Sequence, residues 1–125
     1  MTLRFAVPAI VFFVFACEDP DTLSYEEDIA SWIETKCISC HNPNIAEAGL
    51  DLMTNPFETL LEQHSNQSTY PLVTPGNVLE SYLWHKLNGT QSMAGGSGTS
   101  MPLGVTIDDD DLLRIEDWIQ TGCQP

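Results

Sequence analysis

The chain of 125 residues is 42% hydrophobic and 18% charged, which predicts one small globular domain. It carries 18 acidic and 4 basic residues, and its formal net charge is −14. Phosphate binding requires a basic surface, so this charge argues against a nucleic acid as partner. The charge fits attraction toward basic docking faces on partner proteins, and it fits equally the solubility of an acidic secreted protein.

Residues 1–16 have the pattern of a secretory signal peptide. Arg4 supplies a short positive region, and the run from Phe5 to Ala16 is apolar and interrupted by Pro8. Such a run is too short to span a membrane comfortably. Its removal takes away one basic and no acidic residue, which leaves 3 basic against 18 acidic residues and a net charge of −15. We therefore expect an extracytoplasmic protein, in the periplasm or at the cell surface.

The segment from Val14 to Cys17 resembles a bacterial lipobox, in which the cysteine is lipidated and becomes the new N-terminus. It departs from the preferred pattern in Val14, where leucine is commonest, and in the bulky Phe15. We predict that Cys17 is lipidated and that residues 17–24 tether the protein to a membrane surface without spanning it. The alternative is ordinary cleavage nearby, which would leave Cys17 as a free or disulfide-bonded thiol.

A first helix is predicted from Tyr25 to about Lys36, at the start of a domain that covers residues 25–125. Ser24 and Glu27 have the spacing of a capping box. Apolar side chains then recur at helical spacing at Ile29, Trp32 and Ile33. The helix leads directly into a cysteine motif.

The pentapeptide Cys37-Ile38-Ser39-Cys40-His41 is the most informative stretch of the chain. Its spacing is that of covalent haem attachment, in which each thiol adds to a haem vinyl group and the adjacent imidazole reaches the iron. A zinc site would need a fourth ligand, and a thioredoxin-type pair would need a βαβ unit. A Cys37–Cys40 disulfide would leave His41 unexplained. A haem-free structural or zinc-binding lipoprotein is thus the alternative.

The middle of the chain predicts short helices separated by turns. Pro56 opens a short helix with Phe57, Leu60 and Leu61. Asn77 and Glu80 form a second capping box, at the start of a helix from Val78 to Leu87. Residues 88–104 are rich in Gly, Ser and Thr and lack periodicity, so they predict a long loop that is either disordered or functional.

The last helix has the clearest pattern. Asp108 is its predicted cap, Asp111 completes a capping box, and Gly122 ends it. Its buried face is predicted to consist of Leu112, Ile115, Trp118 and Ile119. The run of aspartates complements the helix N-terminus, and it lacks the ligand spacing of a calcium loop. No strand-period alternation is long enough to predict a sheet, so the fold class is all-α.

An electron-transfer haem needs a second axial ligand, which methionine or histidine supplies. Met101 is favoured because Pro102 restrains the residue before it and would hold the thioether toward the iron. Met93 is second, because the sequence Ala94-Gly95-Gly96 that follows it restrains nothing.

Three further side chains are not favoured as iron ligands. Met53 is expected to fill the core. His85 is expected to lie on the surface or to contact a haem propionate. His64, in a polar stretch, is expected to be exposed to solvent.

These residues resemble class I c-type cytochromes, especially the small haem domains common in secreted bacterial proteins. The resemblance covers about residues 25–125 and combines one specific motif with several weak ones in a fixed order. Its motifs are Cys37-Ile38-Ser39-Cys40-His41, Gly49-Leu50-Asp51-Leu52, Val73-Thr74-Pro75-Gly76-Asn77, Ser81-Tyr82-Leu83-Trp84, Met101-Pro102 and the segment from Ile115 to Gly122. One departure is Cys123, where the family often has a small apolar residue.

The resemblance implies a cytochrome c fold, with three main helices around one covalent haem c and with crossing terminal helices. It implies that Cys37 and Cys40 hold the haem, with His41 as the proximal and Met101 as the distal ligand. Side chains that line or back the pocket would be Leu50, Leu52 and Trp118.

The function that the resemblance implies is single-electron transfer between extracytoplasmic redox partners, with no substrate transformed by the chain itself. The alternative is a haem enzyme or gas-sensing domain with an open or displaceable distal site. Cys123 has three open states: a partnerless thiol if Cys17 is acylated, a Cys17–Cys123 disulfide, or a free buried thiol.

Overall fold

The computed structural model describes residues 22–125, and within this range the chain is mostly helical and forms no β-sheet. Two isolated β-bridges occur there, between Ser24 and Gln124 and between His64 and Pro71. The helical elements are a π-helical turn over Tyr25–Ile29 that continues into α1 (Ala30–Lys36), a 3₁₀ turn over Glu47–Gly49, α2 (Pro56–Glu62), a 3₁₀ turn over Val78–Glu80, α3 (Tyr82–Leu87) and α4 (Asp109–Gln120). The predicted all-α class is consistent with this content.

The first helical segment begins at its predicted cap and ends at the cysteine motif. The Ser24 hydroxyl accepts a hydrogen bond from the backbone N–H of Glu27 at 3.1 Å. The reciprocal bond of the predicted capping box comes from a different residue, because the Ser24 N–H donates to the Asp28 carboxylate at 2.8 Å. The wider π-helical first turn accompanies this shift by one residue. Cys37 is the C-terminal cap of α1.

The last helix starts at Asp108 as predicted, but its capping partners differ from the prediction. The Asp108 carboxylate accepts from the N–H of Asp110 at 2.9 Å. Asp111 was predicted to complete the capping box; instead it accepts from the Trp32 indole N–H at 2.9 Å and pairs with Arg114 at 2.8 Å. A contact between distant helices therefore replaces the local one.

The predicted helix from Val78 to Leu87 is divided in two. Asn77 accepts from the N–H of Glu80 at 3.3 Å, as the second capping box predicts. Ser81 then adopts an extended backbone, with φ −103° and ψ 108°. Its fully buried hydroxyl donates to the Asn77 carbonyl at 2.8 Å and accepts from the Thr74 N–H at 2.9 Å. These bonds to the preceding loop replace the continuous helical ladder.

The core forms where the first helical segment packs against α4. The Tyr25 N–H donates to the Gln124 carbonyl at 2.8 Å, and the rings of Tyr25 and Trp118 lie 5.9 Å apart between centroids. Trp118 is fully buried and donates its indole N–H to the same carbonyl at 3.0 Å. The remaining buried members of this core are Ile29, Trp32, Ile33, Leu52, Leu60, Val73, Val78, Leu87, Ile115, Ile119 and Cys123.

The predicted signal peptide of residues 1–16, Cys17 and the first part of the predicted tether lie outside the described residues. Across residues 22–125, no helix combines the length and the apolar character required to cross a bilayer.

Cys123 is predicted to resist alkylation in the folded protein. It is 4% exposed, and burial raises the pKa of its thiol to about 12. Since only the thiolate is nucleophilic, its reactive fraction at pH 8 falls roughly a thousandfold below that of an ordinary thiol, and it recovers only as pH rises toward the pKa. We expect iodoacetamide to label the Cys123 peptide slowly in the native protein and rapidly in urea, as followed by peptide mass spectrometry.

Equal labelling rates in the native and urea-unfolded protein would contradict this prediction. Labelling in urea only after a reductant is added would instead identify the Cys17–Cys123 disulfide.

Candidate functional site

A cavity of about 690 Å³ lies between the end of α1, α3 and the segment that precedes α4. Its volume falls within the range of about 300–1,000 Å³ that is typical of pockets for small molecules and cofactors. The lining residues come from five parts of the chain: residues 35–41, the turn and strand-like stretch at 47–52, residues 63–67, α3 with the preceding Leu72, and residues 98–105. The loop that the sequence marked as disordered or functional thus supplies one wall.

Both cysteines of the motif face this cavity. The turn that carries them continues from α1, because the N–H groups of Cys40 and His41 both donate to the Cys37 carbonyl, at 3.2 and 3.0 Å. Cys37 is half-buried, and burial raises the pKa of its thiol to about 12; Cys40 is exposed. The two sulfurs form no disulfide with each other. They are available to a group within the cavity.

His41 lies on the same wall with one ring nitrogen already engaged. Its Nδ1 is 3.1 Å from the Glu47 carbonyl oxygen, so Nδ1 carries the proton as donor and Nε2 is left with its lone pair. The backbone carbonyl of His41 accepts from the Leu52 N–H at 2.9 Å. A hydrogen bond of this kind is the one that fixes the tautomer and raises the basicity of histidines that bind metals.

The turn that presents the Glu47 carbonyl contains strained backbone. Ala46 and Ala48 have positive φ angles of 44° and 57°, in the left-handed region that costs a non-glycine residue of the order of 1–2 kcal/mol. A side chain from the next wall stabilises it, because the Asn66 amide donates to the Ala48 carbonyl at 2.9 Å. Gly49 allows this approach, since a Cβ there would lie 2.7 Å from the amide nitrogen. Sequence patterns did not indicate this support for His41.

Met101 lines the same cavity as the two cysteines and His41. It is half-buried, and its N–H donates to the Lys86 carbonyl at 2.8 Å, which fixes the segment to α3. Met93 is 78% exposed and does not contribute to the cavity wall. Of the two methionines considered as distal ligand, the structure brings only Met101 to the site.

The other candidate side chains differ in part from expectation. Met53 was expected to fill the core and is instead 58% exposed. His85 was expected at the surface or on a propionate and is instead buried, with its ring nitrogens bonded to the Thr90 hydroxyl at 2.8 Å and the Leu79 carbonyl at 3.0 Å. Both nitrogens are therefore engaged away from the cavity. His64 is exposed as expected, and it also lines the cavity.

Apolar residues supply the remaining wall near the motif. Leu50 and Leu52 line the cavity, and Leu52 also packs in the core. Trp118 is not among the lining residues; it lies in the same core cluster as Leu52. The cavity therefore combines an apolar face with thiol, imidazole and thioether groups.

A polar part of the wall was not anticipated from the sequence. Lys86 is only 8% exposed, and its ammonium donates to the carbonyls of Ser97 at 3.0 Å and Thr99 at 2.8 Å. Burial lowers the pKa of this ammonium. Tyr82 lines the wall beside it, and its hydroxyl is shared between the Gln67 side-chain oxygen and the Ser97 carbonyl, both at 3.4 Å. The sequence carried one indication that Lys86 is special: the chain has only four Lys and Arg residues.

These residues fit a haem. The cavity wall carries groups of the kinds that ligate a haem iron, the imidazoles of His41 and His64 and the thioether of Met101. A bare ion would need more: residues 22–125 contain no group of three or more His, Cys, Asp and Glu side chains arranged to hold a metal. A zinc site of four protein ligands finds no support there.

Residues 37–94 match a family model described as Planctomycete cytochrome C. The matched region begins at Cys37 and covers a little under half of the chain, and it supports a cytochrome c-like domain that binds haem c and carries electrons. Met101 lies beyond the end of the match. The comparisons with curated proteins and with solved structures give no match.

Proposed function

We propose that this protein is a mono-haem c-type cytochrome that carries single electrons between extracytoplasmic redox partners and transforms no substrate itself. The observation that carries the proposal is the meeting of Cys37, Cys40, His41 and Met101 on the wall of one cavity. The family match over residues 37–94, which includes the motif, also supports it. A pyridine haemochrome assay, with the intact mass of protein co-produced with cytochrome maturation machinery, tests the proposal.

Haem, when bound, supplies a reversible one-electron couple at its iron. Cys37 and Cys40 would hold it through thioether bonds, formed by addition of each S–H across one vinyl group. His41 would ligate the iron through Nε2, because its Nδ1 proton is donated to the Glu47 carbonyl. Met101 would supply the second protein ligand, and a His/Met pair would raise the haem potential.

The surface charge favours basic partners. The chain has a net charge of −14, and the basic residues in the described part number three, Lys36, Lys86 and Arg114. An acidic surface attracts basic docking faces and accelerates encounter. Cys40 is exposed, so electrons would enter and leave a bound haem near Cys37 and Cys40.

The location follows from the N-terminal pattern. We infer that residues 1–16 direct export and that Cys17 carries the lipid that anchors the domain to a membrane surface. Covalent haem attachment at this motif in bacteria takes place outside the cytoplasm, so export and cofactor chemistry agree.

The thiols of the motif are predicted to be required for haem retention. Cys37→Ser and Cys40→Ser each remove one thioether, so we expect most covalent haem to be lost and little folded protein to remain. Haem that resists acid-acetone extraction, quantified by pyridine haemochrome, measures this. Cys123→Ser is the matched control and should keep its haem. A wild-type protein with no haem, or cysteine variants with full covalent haem, would refute the attachment.

Met101→Ala is predicted to convert a low-spin haem into a high-spin one with a lower reduction potential. Axial ligand identity is one of the factors that spread haem potentials over about 0.8 V, so we expect a fall of the order of 0.1 V. The ferric sulfur-to-iron charge-transfer band and a redox titration measure both effects.

Met93→Ala is the matched control for this prediction and should change neither quantity. An unchanged Met101→Ala spectrum would move the ligand to another residue such as His64. A high-spin, ligand-binding spectrum of the wild-type protein would favour the haem enzyme or gas sensor.

Cys17→Ser is predicted to release the protein from membranes into the soluble extracytoplasmic fraction. Loss of the acyl chains removes the apolar surface that partitions into the bilayer. Fractionation with immunoblotting, together with the mass of the mature N-terminal peptide, measures the change. Cys123→Ser should stay with the membrane fraction. Continued membrane association of the Cys17→Ser variant would contradict lipid anchoring.

A further inference from the structure

Lys86 presents a buried positive charge that no carboxylate among residues 22–125 balances; the Tyr82 ring, whose centroid lies 5.8 Å from Nζ, is neutral. It is 8% exposed, whereas buried lysines are ordinarily paired with an anion, because an uncompensated buried charge is costly. Within residues 22–125 the ion pair formed is that of Arg114 with Asp111, and no carboxylate approaches Lys86 within 4.0 Å. The side chain faces the cavity.

The ammonium has one donor left for a ligand. It has three N–H groups, and two of them are directed to the carbonyls of Ser97 and Thr99. Those carbonyls are neutral, so they fix the position of Nζ without balancing its charge. An anion in the cavity would satisfy both the third donor and the charge.

Gln67 places a second donor next to this ammonium. A Cβ on Gly98 would lie 3.3 Å from Lys86 Nζ and 3.4 Å from Gln67 Nε2, so both nitrogens adjoin the same point. The Tyr82 hydroxyl donates its one proton between the Gln67 side-chain oxygen and the Ser97 carbonyl, each at 3.4 Å, and the Gln67 amide nitrogen takes no part in that contact. That nitrogen has no acceptor among the described residues. Two adjacent donors, one of them charged, match the two oxygens of a carboxylate.

We propose that Lys86 and Gln67 together bind one of the two propionate carboxylates of the haem. This inference rests on the proposed function. The rest of the wall is largely apolar and suits the porphyrin ring, so the anion is identified as part of the cofactor. His85, the neighbour on α3 that the sequence suggested for such a contact, has both nitrogens engaged elsewhere.

Four substitutions test this clamp of Lys86 and Gln67 on the propionate. Lys86→Met removes the charge and keeps the apolar stem. Gln67→Glu replaces the amide donor by an anion of the same shape, while the oxygen that accepts from Tyr82 is retained. Lys36→Met is the matched control, because Lys36 also lines the cavity but is exposed on α1. Lys86→Arg should rescue, since a guanidinium is also a charged donor.

The readout is the titration of the two propionates by ¹³C NMR of the reduced haem protein, labelled from 5-aminolevulinate carrying ¹³C at its carboxyl carbon. In the wild-type protein we expect one carboxylate to stay ionised to a lower pH than the other. Lys86→Met should strengthen its proton binding at least about tenfold, because an opposite charge within a few ångströms favours ionisation. Gln67→Glu should change it in the same direction, and Lys36→Met should leave it unchanged.

Three results would overturn the clamp while leaving the haem assignment intact: identical titration of both propionates in the wild-type protein, unaltered midpoints in Lys86→Met, or equal changes in Lys36→Met. The first requires no variant, so the test survives if Lys86→Met fails to fold. A wild-type protein with no haem would overturn both this inference and the proposed function.

Discussion

The packing of the first helical segment against α4 is the interaction on which the rest of the described structure depends. Tyr25 contacts Trp118 and donates to the Gln124 carbonyl, while Trp32 donates to Asp111 on the first turn of α4. These contacts join the first and last helical segments of the described chain. The residues between α1 and α4 must therefore form a closed loop that begins and ends at this contact. The cavity lies on that return path, and the cysteine motif, at the end of α1, is placed at its edge.

Sequence patterns predicted the features that depend on neighbouring residues. The side chains of Ser24, Asn77 and Asp108 each cap the helical turn that was predicted to begin there, although the capping boxes at Ser24 and Asp108 form with other partners than predicted. The start of α2 at Pro56 and the end of α1 at Cys37 were also predicted from neighbouring residues. The cysteine motif is likewise contained in five consecutive residues, and the family match begins at the first of them.

The predictions that failed are those that distant residues decide. Asp111 does not complete the predicted capping box, because its carboxylate accepts the indole N–H of Trp32 from another helix. The predicted helix is interrupted at Ser81, whose hydroxyl accepts the backbone N–H of Thr74 in the preceding loop. Met53 is exposed and His85 is buried because burial depends on how the segments stack, and periodicity in a short irregular stretch carries little of that information. The hydrogen bond between His41 and the Glu47 carbonyl could not be predicted for the same reason.

Lys86 links the polar wall of the cavity to the segment that carries Met101. Its backbone carbonyl accepts the Met101 N–H, and its ammonium holds the carbonyls of Ser97 and Thr99. One residue of α3 thus fastens residues 97–101 at both ends. An amide or a hydroxyl has too few donors to hold two carbonyls and a carboxylate at once, whereas an ammonium has three. In the proposed assembly, Lys86 would therefore hold the propionate through its side chain and the Met101 segment through its backbone carbonyl.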